Sequence, residues 1–227
     1  MENDKRHLAV GIILGGLVTF TWWWGLAVAP SDANMGDVYR IIYLHVPSAI
    51  TAFSSSLFLF ITSMAGLIRK DEAWLTRSKA VAEVGLVFTL ITLATGSVWG
   101  RPTWGTWWTW DARLTTTFLL AVLYAGWLIM YASLSPGPQR QKICAALGII
   151  IFADVPIIYK SVNWWRTLHQ PQSILREGGS TMAPEMLSTL AMSFAALLAF
   201  AGWMAVQRYV NLRLEGLIER ESYREMK

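Results

Sequence analysis

Val81 to Thr115 read VAEVGLVFTLITLATGSVWGRPTWGTWWTWDARLT. As far as Trp99 this is an apolar run broken by one charge, Glu83, and long enough to cross a hydrocarbon core of about 30 Å, which takes roughly 20 helical residues. The run ends in a segment that packs five tryptophans into twelve residues, Trp99 to Trp110, with Gly100 and Gly105 between them and Asp111 after them. A membrane helix that opens into an aromatic, glycine-interrupted loop carries a built surface at its end.

Five more runs of the same kind lie outward from this one. The six spans read as Leu8 to Ala29, Ile41 to Ile68, Val81 to Trp99, Leu114 to Leu134, Ile143 to Val162 and Pro184 to Val206. The fold class is therefore an all-α membrane protein, a bundle of six transmembrane helices occupying residues 1–206. Composition agrees: among 227 residues, 54% are hydrophobic and 15% charged, with mean hydropathy +0.40, too little charge to coat a soluble surface. Lys5-Arg6, the apolar stretch after them and Ala27-Val28-Ala29 imitate a secretory signal peptide, but the length of the run and Trp22-Trp23-Trp24 within it read as the first span. Residues 207–227, with Leu212, Leu214, Leu217 and Ile218 among charges, read as a short amphipathic tail helix on the cytoplasmic surface.

Basic residues orient the bundle. Lys5 and Arg6, Arg69, Lys70, Arg77 and Lys79, Arg140 and Lys142, and Arg208, Arg213, Arg220, Arg224 and Lys227 put thirteen of the nineteen Lys and Arg residues on one side. By the positive-inside rule that side is cytoplasmic and holds both termini. The loops Pro30 to Arg40, Gly100 to Arg113 and Asn163 to Ala183 then face outward. The formal charge of +4 reports this orientation and implies no nucleic-acid partner. The single cysteine, Cys144, excludes an internal disulfide, a CxxC site and covalent c-type haem attachment, and no GxxxxGK[ST] phosphate loop is present.

Of three histidines, His7 falls on the cytoplasmic side, whereas His45, at the outer end of span two, and His169, in the third outer loop, share a face with the tryptophan loop. Interfacial tryptophan ordinarily forms a membrane belt and a lone interfacial histidine is ordinarily a polar tip. Five indoles on a turning backbone, below two imidazoles, suit a planar conjugated ligand instead. Haem meets that description, with His45 and His169 on opposite faces of the iron. Zinc would want four ligands, and two histidines with Asp111 make a poor closed site. The two haem propionates call for cations, and Arg101 and Arg113 bracket the loop, with Arg40, Lys160 and Arg166 near the same face. Asp154, beside Pro156 in span five, is an intramembrane carboxylate, either functional or a paired helix-packing residue. Gly11 and Gly15 form a GxxxG in span one, a close helix contact within the bundle or with a partner span.

Trp99 to Thr115, WGRPTWGTWWTWDARLT, resembles the tryptophan-rich signature of the haem-handling proteins of cytochrome c maturation. The Asp-Ala-Arg-Leu-Thr continuation, the six spans and the length are similar to the CcmC family; the larger CcmF and CcsA types have more spans and follow Trp-Asp with different residues. The resemblance implies His45 and His169 as axial ligands of haem b, a transiently bound cargo, with Trp99, Trp104, Trp107, Trp108, Trp110 and Asp111 as its platform. It further implies delivery of haem to a periplasmic chaperone of the CcmE type, beside a CcmA/CcmB-like ABC transporter and a CcmD-like small membrane protein. The implied location is the bacterial inner membrane, with the haem site toward the periplasm, and the protein is a carrier without bond-breaking chemistry of its own, not an enzyme. Two other readings stay open: a bis-histidine membrane b-type cytochrome, which would bury its ligands between facing helices, and a small-molecule or haem permease, which would show broken helices near the midplane.

Reporter fusions test the orientation. Fusions after Lys79 and Lys142 are expected to report cytoplasm and fusions within residues 100–113 and 163–183 the outside; a cytoplasmic signal from the tryptophan loop overturns it.

Overall fold

The computed structural model describes residues 2–170, 180 and 182–225; Pro171, Gly178, Gly179 and Lys227 lie outside them. The described residues form six α-helices and no named strand: α1 (Glu2–Ala27), α2 (Ile42–Arg69), α3 (Glu72–Trp104), α4 (Ala112–Ser133), α5 (Pro138–Trp164) and α6 (Pro184–Glu225), with a 3-10 turn at Asp37–Ile41 leading into α2. All six are long and apolar enough to cross a membrane. Without water in the hydrocarbon region each backbone polar group has to be satisfied within its own helix, which is why spans of this composition become helices.

Helix ends follow local chemistry. Asp71 caps α3 by accepting from the Ala73 N–H, and Asp111 caps α4 by accepting from the Leu114 N–H at 2.8 Å. Gly105, at φ 78°, closes α3 in the left-handed conformation that glycine adopts without a Cβ penalty. Gly137 and Pro138 start α5, the proline at the helix N-terminus where its missing N–H costs nothing.

Two expected boundaries move. Sequence patterning ends span three at Trp99 and begins the outer loop at Gly100, yet α3 continues to Trp104, because Pro102 lies in the last turns and the true stop is Gly105. The segment 207–227 reads as a separate tail, but α6 runs unbroken from Pro184 to Glu225. No glycine turn or proline follows Val206 to break it, and Arg208 ties this stretch to α3 through Glu83, at 2.5 Å, and to Glu215 at 3.0 Å.

α2 is the hub, packed against α3, α5 and α6, while α4 bridges α3 and α5, and α1 lies on α6. The α1–α6 pair is antiparallel: the Trp203 indole N–H donates to the His7 carbonyl, Gly11 faces Trp203 and Gly15 faces Phe200. Gly11 and Gly15 thus make their close contact inside the bundle. The main core joins Leu59, Leu75, Leu120, Tyr124, Trp127 and Ile151. Its two polar aromatics are satisfied by backbone carbonyls, Tyr124 Oη donating to Ala52 O at 3.0 Å and Trp127 Nε1 to Cys144 O at 2.9 Å. Asp154 is buried, 5% exposed, and its Oδ2 has no hydrogen-bond partner among the described residues, so the paired helix-packing reading does not hold for that oxygen.

The ends differ in kind. Glu72 at the start of α3 receives the Gly137 N–H at 2.9 Å and Arg140 at 2.6 Å, and Arg77 stacks between Trp74 and Tyr209. This basic end ties α3, α5 and α6 together. The opposite end carries the 3-10 turn, the connection after Gly105 and the residues around His169.

Tight packing at Gly85 gives a stability test. A Cβ there would stand 2.4 Å from Tyr124 Cζ, so Gly85→Ala should displace the ring and its bond to Ala52 and destabilise by about 1–3 kcal/mol. Gly126→Ala, with nothing within 4 Å, should not. Thermal unfolding of the detergent-purified variants measures the difference, and equal melting of the two excludes the packing account.

Candidate functional site

At the end opposite the basic cluster, a cavity of about 310 Å³ opens between α2, α3, α4, α5 and the residues 167–170. Its walls are mostly apolar, with Val46, Ile50, Phe53, Leu93, Leu114 and Ile158 among them. Both outer histidines line it. The sequence brings them together from opposite origins: His45 stands in the first turn of α2, whereas His169 lies in a bend beyond the end of α5.

Each ring is held through Nδ1. His45 Nδ1 lies 3.0 Å from Thr95 Oγ1 of α3, with the Trp99 indole edge-on at 5.7 Å. Gly96 makes room for the ring, since a Cβ at that position would come within 3.1 Å of His45 Cε1. His169 Nδ1 lies 3.0 Å from Asp111 Oδ2, and its ring packs 4.8 Å from Trp104. The Thr92 carbonyl also accepts a hydrogen bond from the His45 ring; the side-chain hydrogen bonds to either ring among the described residues are made at Nδ1. Neutral imidazole coordinates metals through the nitrogen that its other N–H leaves free.

Asp111 holds the His169 segment with one oxygen. Besides the imidazole, Oδ2 accepts from Thr167 Oγ1 at 2.7 Å and from the Leu168 N–H at 3.3 Å, while Oδ1 caps α4. The Thr167 hydroxyl in turn accepts from the His169 N–H at 3.1 Å. Burial by itself would raise the Asp111 pKa, but the bonds from His169, the Leu114 N–H and Thr167 outweigh it and hold the carboxyl well below the usual carboxylate range. The sequence reading puts Asp111 in the platform with the tryptophans; the structure sets it against His169.

The tryptophans divide. Because α3 continues past Trp99, Gly96, Trp99 and Thr103 fall on one helical face, at i, i+3 and i+7, and line the cavity with Trp104. Trp107 and Trp110, beyond the Gly105 turn, are 58% and 75% exposed, and Trp108 packs edge-on against Trp110 and Phe118; none of the three lines the cavity. The cations divide as well. Arg113 lines the cavity, donating from Nη2 to Tyr159 O at 3.3 Å while its buried Nε has no partner among the described residues. Arg101 donates to Gly105 O at 2.6 Å and so closes the turn. Arg40 is engaged with Asp37 and Leu26 O, Lys160 sits over its neighbour Tyr159, and Arg166 is exposed. Met35, Thr95, Gly96, Thr103, Thr167 and Gln170 belong to the site and were not legible as such; the one available signal was the helical spacing of Gly96 with Trp99.

Six apolar helices with a two-histidine cavity at one end define a multi-pass membrane protein whose site opens at the bundle end. The chain belongs to the CcmC family, whose profile, described as heme exporter protein C, matches residues 4–225. It is 37% identical over 198 residues to the heme exporter protein C of Escherichia coli K12, covering 87% of this chain and 80% of that protein. It is 38% identical over 186 residues to the heme exporter protein C of Haemophilus influenzae, covering 82% and 76%. To a ccmC-like mitochondrial protein of cytochrome c biosynthesis from Marchantia polymorpha it is 37% identical over 213 residues, covering 91% and 90%.

A carboxylate whose folded pKa is depressed contributes stability that is complete above its unfolded value, about 4, and is lost only as pH falls through the lower folded value. Asp111→Asn is therefore expected to lower the melting temperature at pH 7 and still at pH 5, with the gap to wild type closing only below about pH 4. Melting curves across that range check it; a gap that closes between pH 7 and pH 5 rules out Asp111 as its source.

Proposed function

We propose that this protein binds haem b as transient cargo between His45 and His169 and delivers it to a periplasmic haem chaperone of the CcmE type during cytochrome c maturation. The names of its relatives, heme exporter protein C and a cytochrome c biosynthesis protein, support haem handling. One observation carries the assignment to these residues: two imidazoles line one cavity, each tied through Nδ1, with Nε2 left for iron.

The residues present fit the cargo. A volume of about 310 Å³ lies at the lower end of the range for small-molecule sites, and apolar walls suit a porphyrin. Arg113 Nε and Trp99 Nε1 are buried donors without partners among the described residues, and a propionate would supply the missing acceptor. Trp99 and Trp104 pack the rings of the two ligands, while exposed Trp107 and Trp110 are the part of the platform left to meet an acceptor. His169 lies in a bend beyond α5, not between facing helices, which favours exchange over the permanent electron carriage of a b-type cytochrome. The protein breaks no bond in this scheme; ATP hydrolysis would belong to a CcmA/CcmB-like transporter, with a CcmD-like protein as the small partner. The basic end is the cytoplasmic end, and the cavity opens to the periplasm of the bacterial inner membrane.

Haem content and the absorption spectrum of purified protein test this. An outer-shell partner alone is worth roughly 10- to 100-fold in metal affinity, so replacing His45 or His169 itself with Ala should cost at least about tenfold in retained haem. Added imidazole should partly restore His45→Gly and His169→Gly, and His7→Ala should change nothing. A His45→Ala, His169→Ala double variant with wild-type haem and a bis-imidazole spectrum would end the assignment.

A further inference from the structure

We infer that Thr95 is the positioning residue for His45: its hydroxyl, with the space left by Gly96, fixes the imidazole as the Nδ1–H tautomer and so presents Nε2 to the cavity. The inference rests on the reading of His45 as a haem ligand. It concerns a residue that lies outside the tryptophan segment.

The hydroxyl has one proton, and the structure shows where it goes. Thr95 Oγ1 is 2.7 Å from Ile91 O and 3.2 Å from Thr92 O, both acceptors only. A threonine in a helix donates back to the carbonyl of the preceding turn, which leaves its oxygen lone pairs as the face turned outward. His45 Nδ1, 3.0 Å away, meets those lone pairs and has to be the donor. The opposite tautomer would set two acceptors against each other, or take the proton from Ile91 and lose one of two hydrogen bonds. Inside a low-dielectric bundle that loss is costly.

Space is shaped for the same ring. A Cβ at Gly96 would come within 3.1 Å of His45 Cε1, so the ring would have to shift by a few tenths of an ångström to admit it. Trp99, one turn further along α3, closes the other side. Thr95, Gly96 and Trp99 are one surface of one helix, and the imidazole they hold comes from another, α2.

The two histidines are then held by unlike groups. His169 donates to a carboxylate, whereas His45 donates to a neutral hydroxyl that orients the ring without adding charge. The loss of Thr95 should consequently be felt as loss of orientation.

Two variants and two measurements test this. Thr95→Val keeps shape and removes the acceptor; Thr95→Ser keeps the acceptor. In haem-free, detergent-purified protein labelled with ¹⁵N at histidine, with His45 assigned by its loss in His45→Gln, the wild type should show the Nδ1–H tautomer at His45. Thr95→Ser should match it, and Thr95→Val should show a mixture. In haem-loaded protein, Thr95→Val should lower haem retention by roughly tenfold, the lower end for loss of an outer-shell partner, and shift the spectrum from low-spin bis-imidazole toward high spin. Added imidazole should reverse the spin shift, and Thr95→Val should have no further effect in a His45→Ala background. An unchanged tautomer in Thr95→Val overturns the positioning role, and so does equal behaviour of the Val and Ser variants. Wild-type haem ligation in His45→Ala would instead overturn the ligand reading, and the tautomer experiment in haem-free protein keeps the two failures apart.

Discussion

Asp111 is a single carboxylate shared between two structural tasks, and the outer end of the bundle depends on that sharing. Oδ1 caps α4 through the Leu114 N–H, and Oδ2 gathers His169, Thr167 and the Leu168 N–H. The first bond fixes where α4 begins, and therefore where Arg113 and Leu114 enter the cavity wall. The second fixes the bend at Leu168 and His169, which no helix holds. A charged acceptor makes stronger hydrogen bonds than a neutral one, and the donors around it keep the group ionised far into acid. Both oxygens are used, so no shorter polar residue could replace the carboxylate at both positions.

In the bundle beneath, the ties between helices gather away from this end. Around Glu72, Arg140, Arg77 and Arg208, ion pairs and stacked rings join α3, α5 and α6, and Trp127 and Tyr124 lock α4 to α5 and α2 through backbone carbonyls. Helices pinned at one end and through the middle can diverge at the other without exposing unsatisfied backbone, which in a membrane is the limiting cost. The cavity lies at the end away from these ties.

Much of this was legible in the sequence, for reasons that can be named. Apolar runs of span length have few alternatives in lipid, so six helices followed from Leu8 to Val206 with boundaries a few residues off. His45 and His169 came from elimination, three histidines filtered by the side on which basic residues fall. What was not legible depended on where α3 stops. Glycines at both 100 and 105 are equal candidates in sequence, and only the continuation through Pro102 to Gly105 separates Trp99 and Trp104, in the cavity wall, from Trp107 and Trp110, which face out. Thr95 gave no signal at all, since a threonine in an apolar run reads as one more span residue. The same holds for α6: a mixed run of charges and leucines after Val206 reads as a change of environment, yet no residue there ends the helix.

The partners of both histidines fall within one short stretch of chain. Thr95, Gly96 and Trp99 surround His45, which is fifty positions earlier, and Trp104 and Asp111 surround His169, fifty-eight later. Residues 95–111 are thus a clamp with two jaws, one built on the last turns of α3 and the other on the cap of α4, with the Gly105 turn between them. This gives the tryptophan segment a mechanical meaning beyond its aromatic surface: its helical half carries Trp99 and Trp104 into the cavity wall, its cap residue holds the second histidine, and Trp107 and Trp110 face outward.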